Sequence, residues 1–168
     1  MGNAVDVERD ALLEYLATQR AALIQAADGL TDAQASERPT VSELCLAGLI
    51  KHSAQVERSW LDILLQRERG DEGADWADGF RLVGAETLAD VVALFEEVAE
   101  DTETRIRALP DLDVDAPLPS APWYPPNSRR SARRVLLHLI QEHARHAGHA
   151  DIIRESLTTA AETDTTTG

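Results

Sequence analysis

A chain of 168 residues is one domain's worth, and 16 Lys plus Arg against 30 Asp plus Glu leave it a net charge of -14. Such a surface repels a phosphate backbone and an anionic bilayer alike, so nucleic acid and membranes are not expected partners. The single cysteine, Cys45, excludes an internal disulfide. With no signal-like opening and no apolar run near the roughly 18 residues of a membrane helix, the expected compartment is the cytoplasm.

Residues 6 to 27 carry Leu12, Leu13, Leu16, Leu23, Ile24 and Ala27 at helical spacing and stop at Asp28-Gly29, which predicts a first helix. Pro39-Thr40-Val-Ser-Glu43 reads as the start of a second, with Thr40 and Glu43 capping each other, running to about Arg67. Its inward stripe would be Cys45, Leu49, His52, Val56, Trp60 and Ile63, so one histidine interrupts an apolar seam. Gly, Asp and Arg dominate from Gln66 to Gly84 and mark a long connection.

A third helix is predicted over 86 to 109, with Leu88, Val91, Val92, Phe95, Val98, Ile106 and Leu109 on one face and Glu96, Glu97, Glu100, Asp101 and Glu103 on the other. Five prolines between Pro110 and Asn127 exclude a regular helix there and leave a structured crossover without strand-like runs. The fourth helix begins near Ser128 and ends near Leu157, and the Thr-, Ala- and Glu-rich tail from Thr158 to Gly168 has no periodicity and is expected to be disordered. The expected fold is therefore all-α, a four-helix bundle forming one domain over 1–157, with metal and ligand sites built from core-facing side chains.

Stepping by three and four from Val135 along the last helix gives Leu139, Glu142, His146, His149 and Ile153. Polar groups on a buried stripe are costly unless something pairs them, and a divalent metal suits Glu and His one turn apart. His52 with Glu142 and His146 makes three ligands from two helices with a fourth position open, the arrangement of a catalytic rather than a structural zinc. His149 is a candidate either to replace Glu142 or to act as a partner behind the ligands. His143, about 100° around the helix from Glu142, is expected to face a neighbouring helix or solvent, and His138 to lie at a rim or interface. Cys45 reads as a small buried apolar residue too far from His52 to share a metal. The arginines at 129, 130, 133 and 134 crowd a helix start, which admits an anion or acidic surface there, but pairing with the acidic face of the third helix is the preferred expectation. Trp123-Tyr124 is open to two readings, a pocket wall or packing.

Two stretches carry a family resemblance: Arg38-Pro-Thr-Val-Ser-Glu43-Leu with Leu49-Ile-Lys-His52-Ser-Ala-Gln-Val-Glu57-Arg-Ser-Trp60, and Gln141-Glu142-His-Ala-Arg145-His146-Ala-Gly148-His149-Ala-Asp151-Ile-Ile-Arg154-Glu155. On these the chain resembles the DinB/YfiT-like superfamily, in its branch of small actinobacterial-type proteins related to mycothiol-dependent maleylpyruvate isomerases and thiol S-transferases. The resemblance implies an up-down-down-up bundle, a metal at one end and often a homodimer. Many members use three histidines; with Glu142 in one of those places, the chain looks like the His-Glu-His variant, which carries the ligand role onto His52, Glu142 and His146 and leaves His149 behind them. The implied activity is a metal-dependent S-transferase or isomerase in which Zn2+, or else Ni2+ or Fe2+, activates mycothiol or a similar small thiol toward an electrophile. A non-catalytic metal or small-molecule binding module, a metal-dependent hydrolase, and a purely structural polar seam are the alternatives that the residues leave open.

Overall fold

The computed structural model describes residues 4–68 and 76–166, with side chains described from 5 to 68 and from 77 to 159. Helix α1 spans Ala4–Ala26, a short α2 spans Asp32–Ser36, α3 spans Leu46–Leu65, α4 spans Leu88–Ala108 and α5 spans Ala132–Thr166. A 3-10 turn, Trp76–Phe80, lies in the connection between α3 and α4. Strands β1 (Asp115–Pro117) and β2 (Arg129–Ser131) form an antiparallel ribbon before α5, with Ala116 opposite Arg130.

Ion pairs and core clusters fix the course of the four long helices. At the start of α5 Arg133 Nε reaches Glu8 at 2.6 Å, and further along Arg154 Nη1 donates to the carbonyl of Asp28 at 2.9 Å, so α1 and α5 run side by side in the same direction. The end of α4 returns to the start of α1, where Arg107 meets Asp10 at 2.5 Å and Arg9 donates to the Leu109 carbonyl at 2.8 Å. Arg58 with Glu97 and Arg67 with Asp101 tie α3 to a parallel α4. The course is up-down-down-up. Each half of the bundle has its own core: Leu13, Leu16, Ile106, Leu136 and Leu139 fill one, and Leu23, Leu49, Ile50, Phe95 and Ile153 fill the other. Among the described residues no helix is long and apolar enough to cross a membrane.

Several boundaries differ from the sequence expectation, each for a local reason. Helix α3 starts at Leu46, because Thr40 turns its hydroxyl to Ser42 instead of to Glu43, and Glu43 pairs with Arg38. The working capping boxes are Thr31 with Gln34 on α2 and Thr87 with Asp90 on α4. The ribbon takes Arg129–Ser131 and delays α5 to Ala132, and Pro117 is tolerated because a two-stranded ribbon has only edges. At its far end the helical backbone of α5 continues to Thr166, and extending an existing helix needs no new nucleus. Residues 167–168 lie outside the described residues.

The arginines near the start of α5 do not pair with the acidic face of α4, which lies diagonally across the bundle. Arg133 takes Glu8 and Asp113, Arg129 takes Asp115, and the Arg130 guanidinium carbon lies over the Trp60 ring, 4.5 Å from its centroid. The α4 acids pair instead with arginines of α3 and of α4 itself.

Candidate metal and thiol site

The inward faces of α3 and α5 are broader than the stripes expected of them: Cys45, Leu49, Trp60 and Ile63 are buried as expected, as are Leu139, His146 and Ile153, and a neighbouring buried line adjoins each stripe. On α5 the buried line is Leu136, Leu139, His143, Ala147, Ala150 and Ile153, while Glu142 and His149 sit half-buried on its flank and His146 lies between. On α3 the buried line is Ile50, Ala54, Glu57, Leu61 and Leu64, with His52 and Val56 on the flank. The two flanks face each other across a groove. Thus His52, Glu142, His146 and His149 are brought together at the rim of the helix pair rather than in the middle of the core.

The His52 and His146 rings meet edge to face with centroids 5.0 Å apart, and the His149 ring is 5.6 Å from that of His146. Glu142 Oε2 stands 3.8 Å from His146 Nε2, too far for a hydrogen bond, while Oε1 accepts from Arg145 at 3.1 Å. Burial, reinforced by the neighbouring His146, pushes the His52 pKa down to about 4, and burial also lowers that of His146. Both rings are therefore held neutral at pH 7 with lone pairs free to bind a cation.

A 3-10 turn roofs this end of the groove. Phe80 stacks on His52 at 4.0 Å, and the turn can approach so closely because α3 presents Gly48, where a Cβ would lie 1.9 Å from the Phe80 carbonyl oxygen. The thiol of Cys45, buried and pushed up in pKa by that burial, points to the same carbonyl at 3.6 Å. Lys51 fastens the next stretch, donating to Glu86 at 2.6 Å and to the Arg81 carbonyl at 3.2 Å. Beside His52 opens a cavity of about 520 Å³ lined also by Gln55, Val56, Ser59, Trp60, Asp78 and Val83. Of the two long connections, the first contributes to this wall and the second does not. Tyr124 packs into the core and Trp123 is exposed, so the pair is not a wall of this cavity. His138 lies half-buried with its ring 4.9 Å from Trp60.

Among the described residues, no three His, Cys, Asp or Glu side chains are gathered closely enough in these rotamers to hold a metal ion. The donor types nonetheless suit one. Two ligand atoms on a tetrahedral zinc stand roughly 3.4 Å apart, given bonds of about 2.0–2.2 Å, so the Glu142–His146 pair needs only a small side-chain adjustment. Nδ1 of His146 and Nδ1 of His149 are buried without hydrogen-bond partners, a costly state that a bound cation or a second polar group would relieve.

Two residues outside the expected set dominate the core behind this groove. Glu57 is fully buried; it accepts from Arg20 Nε at 3.0 Å and Nη2 at 2.5 Å, and from His143 Nε2 at 3.0 Å. Burial pushes its pKa up, but the bonds from His143 and Arg20 outweigh that and hold it at about 2. His143 faces this carboxylate and not solvent. The signal was present in the sequence: Glu57 is the one acid in the spacing Ile50, Ala54, Leu61, Leu64, and His143 the one polar residue in Leu136, Leu139, Ala147, Ala150.

The model of the family described as Mycothiol-S-transferase matches residues 11–159, nearly the whole chain. The chain belongs to this family. A solved structure, the crystal structure of the conserved protein of locus from Enterococcus faecalis, superposes with a TM-score of 0.70 at 16% identity, covering 89% of this chain and 96% of that one. At that identity the likeness shows the fold alone. No curated protein matches the sequence significantly. Family and fold thus agree with the resemblance read from the two helical stretches, and membership implies that a thiol takes part in the chemistry.

Proposed function

We propose that the protein is a metal-dependent S-transferase for mycothiol or a similar low-molecular-weight thiol, with His52, Glu142 and His146 as the protein ligands. The observation that carries this reading is the convergence of His52 and His146, 5.0 Å between centroids, with Glu142 at 3.8 Å, beside a cavity large enough for a small substrate. A divalent cation held there, zinc or alternatively nickel or iron, supplies one thing: it favours the ionised form of a coordinated thiol near neutral pH, when sulfur is nucleophilic.

The remaining work belongs to side chains of the chain itself. His52 is kept neutral by burial, and Phe80 stacked on it keeps water from one face of the ring. Nδ1 of His149, without a hydrogen-bond partner, would take the proton that the thiol gives up on ionising; the thiolate sulfur would then bond to an electrophilic carbon as the bond from that carbon to its leaving group breaks and the leaving group departs with the electron pair. Gln55 and Ser59 offer neutral hydrogen-bonding groups along the cavity, and Trp60 a flat apolar wall. The cations and anions there are spoken for, Lys51 by Glu86 and Asp78 by Arg81, which favours an uncharged, hydroxyl-rich thiol body over a strongly charged one.

Elemental analysis of protein purified without an affinity tag tests the ligand set. One equivalent of metal per chain is expected in the wild type, and loss of it in His52→Ala with the helical signal retained. Stoichiometric metal in a variant lacking both His52 and His146 would overturn the assignment, and loaded protein that consumes no thiol with any of a panel of electrophiles would overturn the transferase reading.

A further inference from the structure

The proposed chemistry makes no use of a cluster of buried polar and charged side chains behind the groove. Arg20 on α1, Glu57 on α3 and His143 on α5 join three helices at one point between the two halves of the core, with the Glu57 and His143 side chains wholly inaccessible. A buried ionic cluster of this kind is weak evidence for stability, since well-packed apolar replacements are often as stable or more so. What it supplies is direction. The α5 neighbours of His143 along the buried line, Leu139 and Ala147, make contacts that tolerate a rotation of the helix, whereas a hydrogen bond at 3.0 Å does not.

We infer that Arg20, Glu57 and His143 are positioning residues that set the rotation of α5 so that Glu142 and His146 face His52. At 100° per residue, His146, Glu142 and His149 lie about 60°, 100° and 120° to the same side of His143. That side is the groove toward α3. Because Glu57 stands on the same helix as His52, the bond from His143 registers the two ligand-bearing helices directly. Arg20, bidentate on Glu57 from α1, keeps the carboxylate ionised and in one rotamer, and the Nε2 of His143 must be the donor because that carboxylate can only accept. The inference rests on the ligand assignment above, but its first consequence, the approach of His52 to His146, exists without metal.

The test compares His143→Leu with His143→Gln, whose amide can still donate to Glu57; in both, Arg20 continues to pair with the carboxylate and the bundle is retained. Two quantities are read: the nuclear Overhauser contact between the His52 and His146 rings in metal-free protein, and zinc affinity by competition. Expected are a contact kept in the wild type and in His143→Gln but lost in His143→Leu, and a zinc affinity 10- to 100-fold weaker in His143→Leu with His143→Gln within about threefold of wild type. The triple variant Arg20→Met, Glu57→Leu, His143→Leu is expected to melt no lower than the wild type while showing the same two losses. Retention of the ring contact in His143→Leu and in the triple variant would overturn the inference, leaving the cluster as packing only. Should wild-type protein bind no zinc, the ligand assignment fails, and the ring contact alone then decides the positioning role.

Discussion

Replacing Gly48 by alanine isolates the contribution of the roof over His52. The new Cβ would lie 1.9 Å from the carbonyl oxygen and 2.4 Å from the carbonyl carbon of Phe80, against an ordinary contact beginning at 3.4 Å. The turn must therefore retreat by about 1.5 Å, and because both atoms belong to backbone, no side-chain rotation relieves the clash. Overpacking of this kind costs about 1–3 kcal/mol, while alanine gains about 1 kcal/mol over glycine in a helix interior. A net loss of up to about 2 kcal/mol corresponds to a melting temperature lower by up to about 8 °C for a domain of this size. The retreat also lifts Phe80 from the imidazole, so the His52 titration should move from about 4 toward its ordinary 6.5. Calorimetry and NMR titration of the histidine ring protons in metal-free protein measure the two effects. A melting temperature raised by the helix propensity of alanine, with His52 titrating where it did before, would refute the argument.

Stability of the metal-free protein should fall as pH is lowered from about 6.5 to about 4. His52, and in the same direction His146 and His138, are held neutral in the fold while the unfolded chain takes up protons below 6.5, so acid favours unfolding through that window and the His52 contribution levels off near 4. Denaturant midpoints measured against pH check this, and His52→Gln should flatten the slope; a midpoint that rises between pH 7 and 5 contradicts it. Thr87→Ala, which removes the hydroxyl bonded to the Asp90 amide at 3.2 Å, should cost about 1 kcal/mol, whereas Thr40→Ala should cost under about 0.5 kcal/mol because no helix begins there. Equal losses for the two in thermal melts would show that the capping argument is misplaced.

How much the sequence reveals depends on how far apart the cooperating residues are. The four long helices were legible because their apolar spacing is a local property, and α1 ends where Asp28-Gly29 says it should, with Gly29 in a left-handed turn. Helix faces were harder: the stripes on α3 and α5 admit two neighbouring tilts, and only the packing of both helices against α1 decides that Glu57 and His143 point inward while His52 and Glu142 stand at the rim. The ribbon of β1 and β2 was missed because each strand is three residues long and carries no alternation to detect. The arginine partners were misassigned because that depends on which helices are diagonal, a fact of topology that composition does not hold.

The parallel pairing of α1 with α5 has a consequence for how the protein comes to exist. Contacts such as Glu8 with Arg133 and Ala26 with Arg154 join positions 125 and 128 residues apart, unusually distant for an all-helical bundle, whose neighbours are commonly consecutive. Helices α1, α3 and α4 leave the ribosome with their shared inner face open, and both halves of the core stay incomplete until the last helix is synthesised. The groove of His52 and His146 is assembled in that same step, so an incomplete chain lacks it. A growing chain must therefore keep a broad apolar face out of aggregates, a task to which a net charge of -14 is well suited.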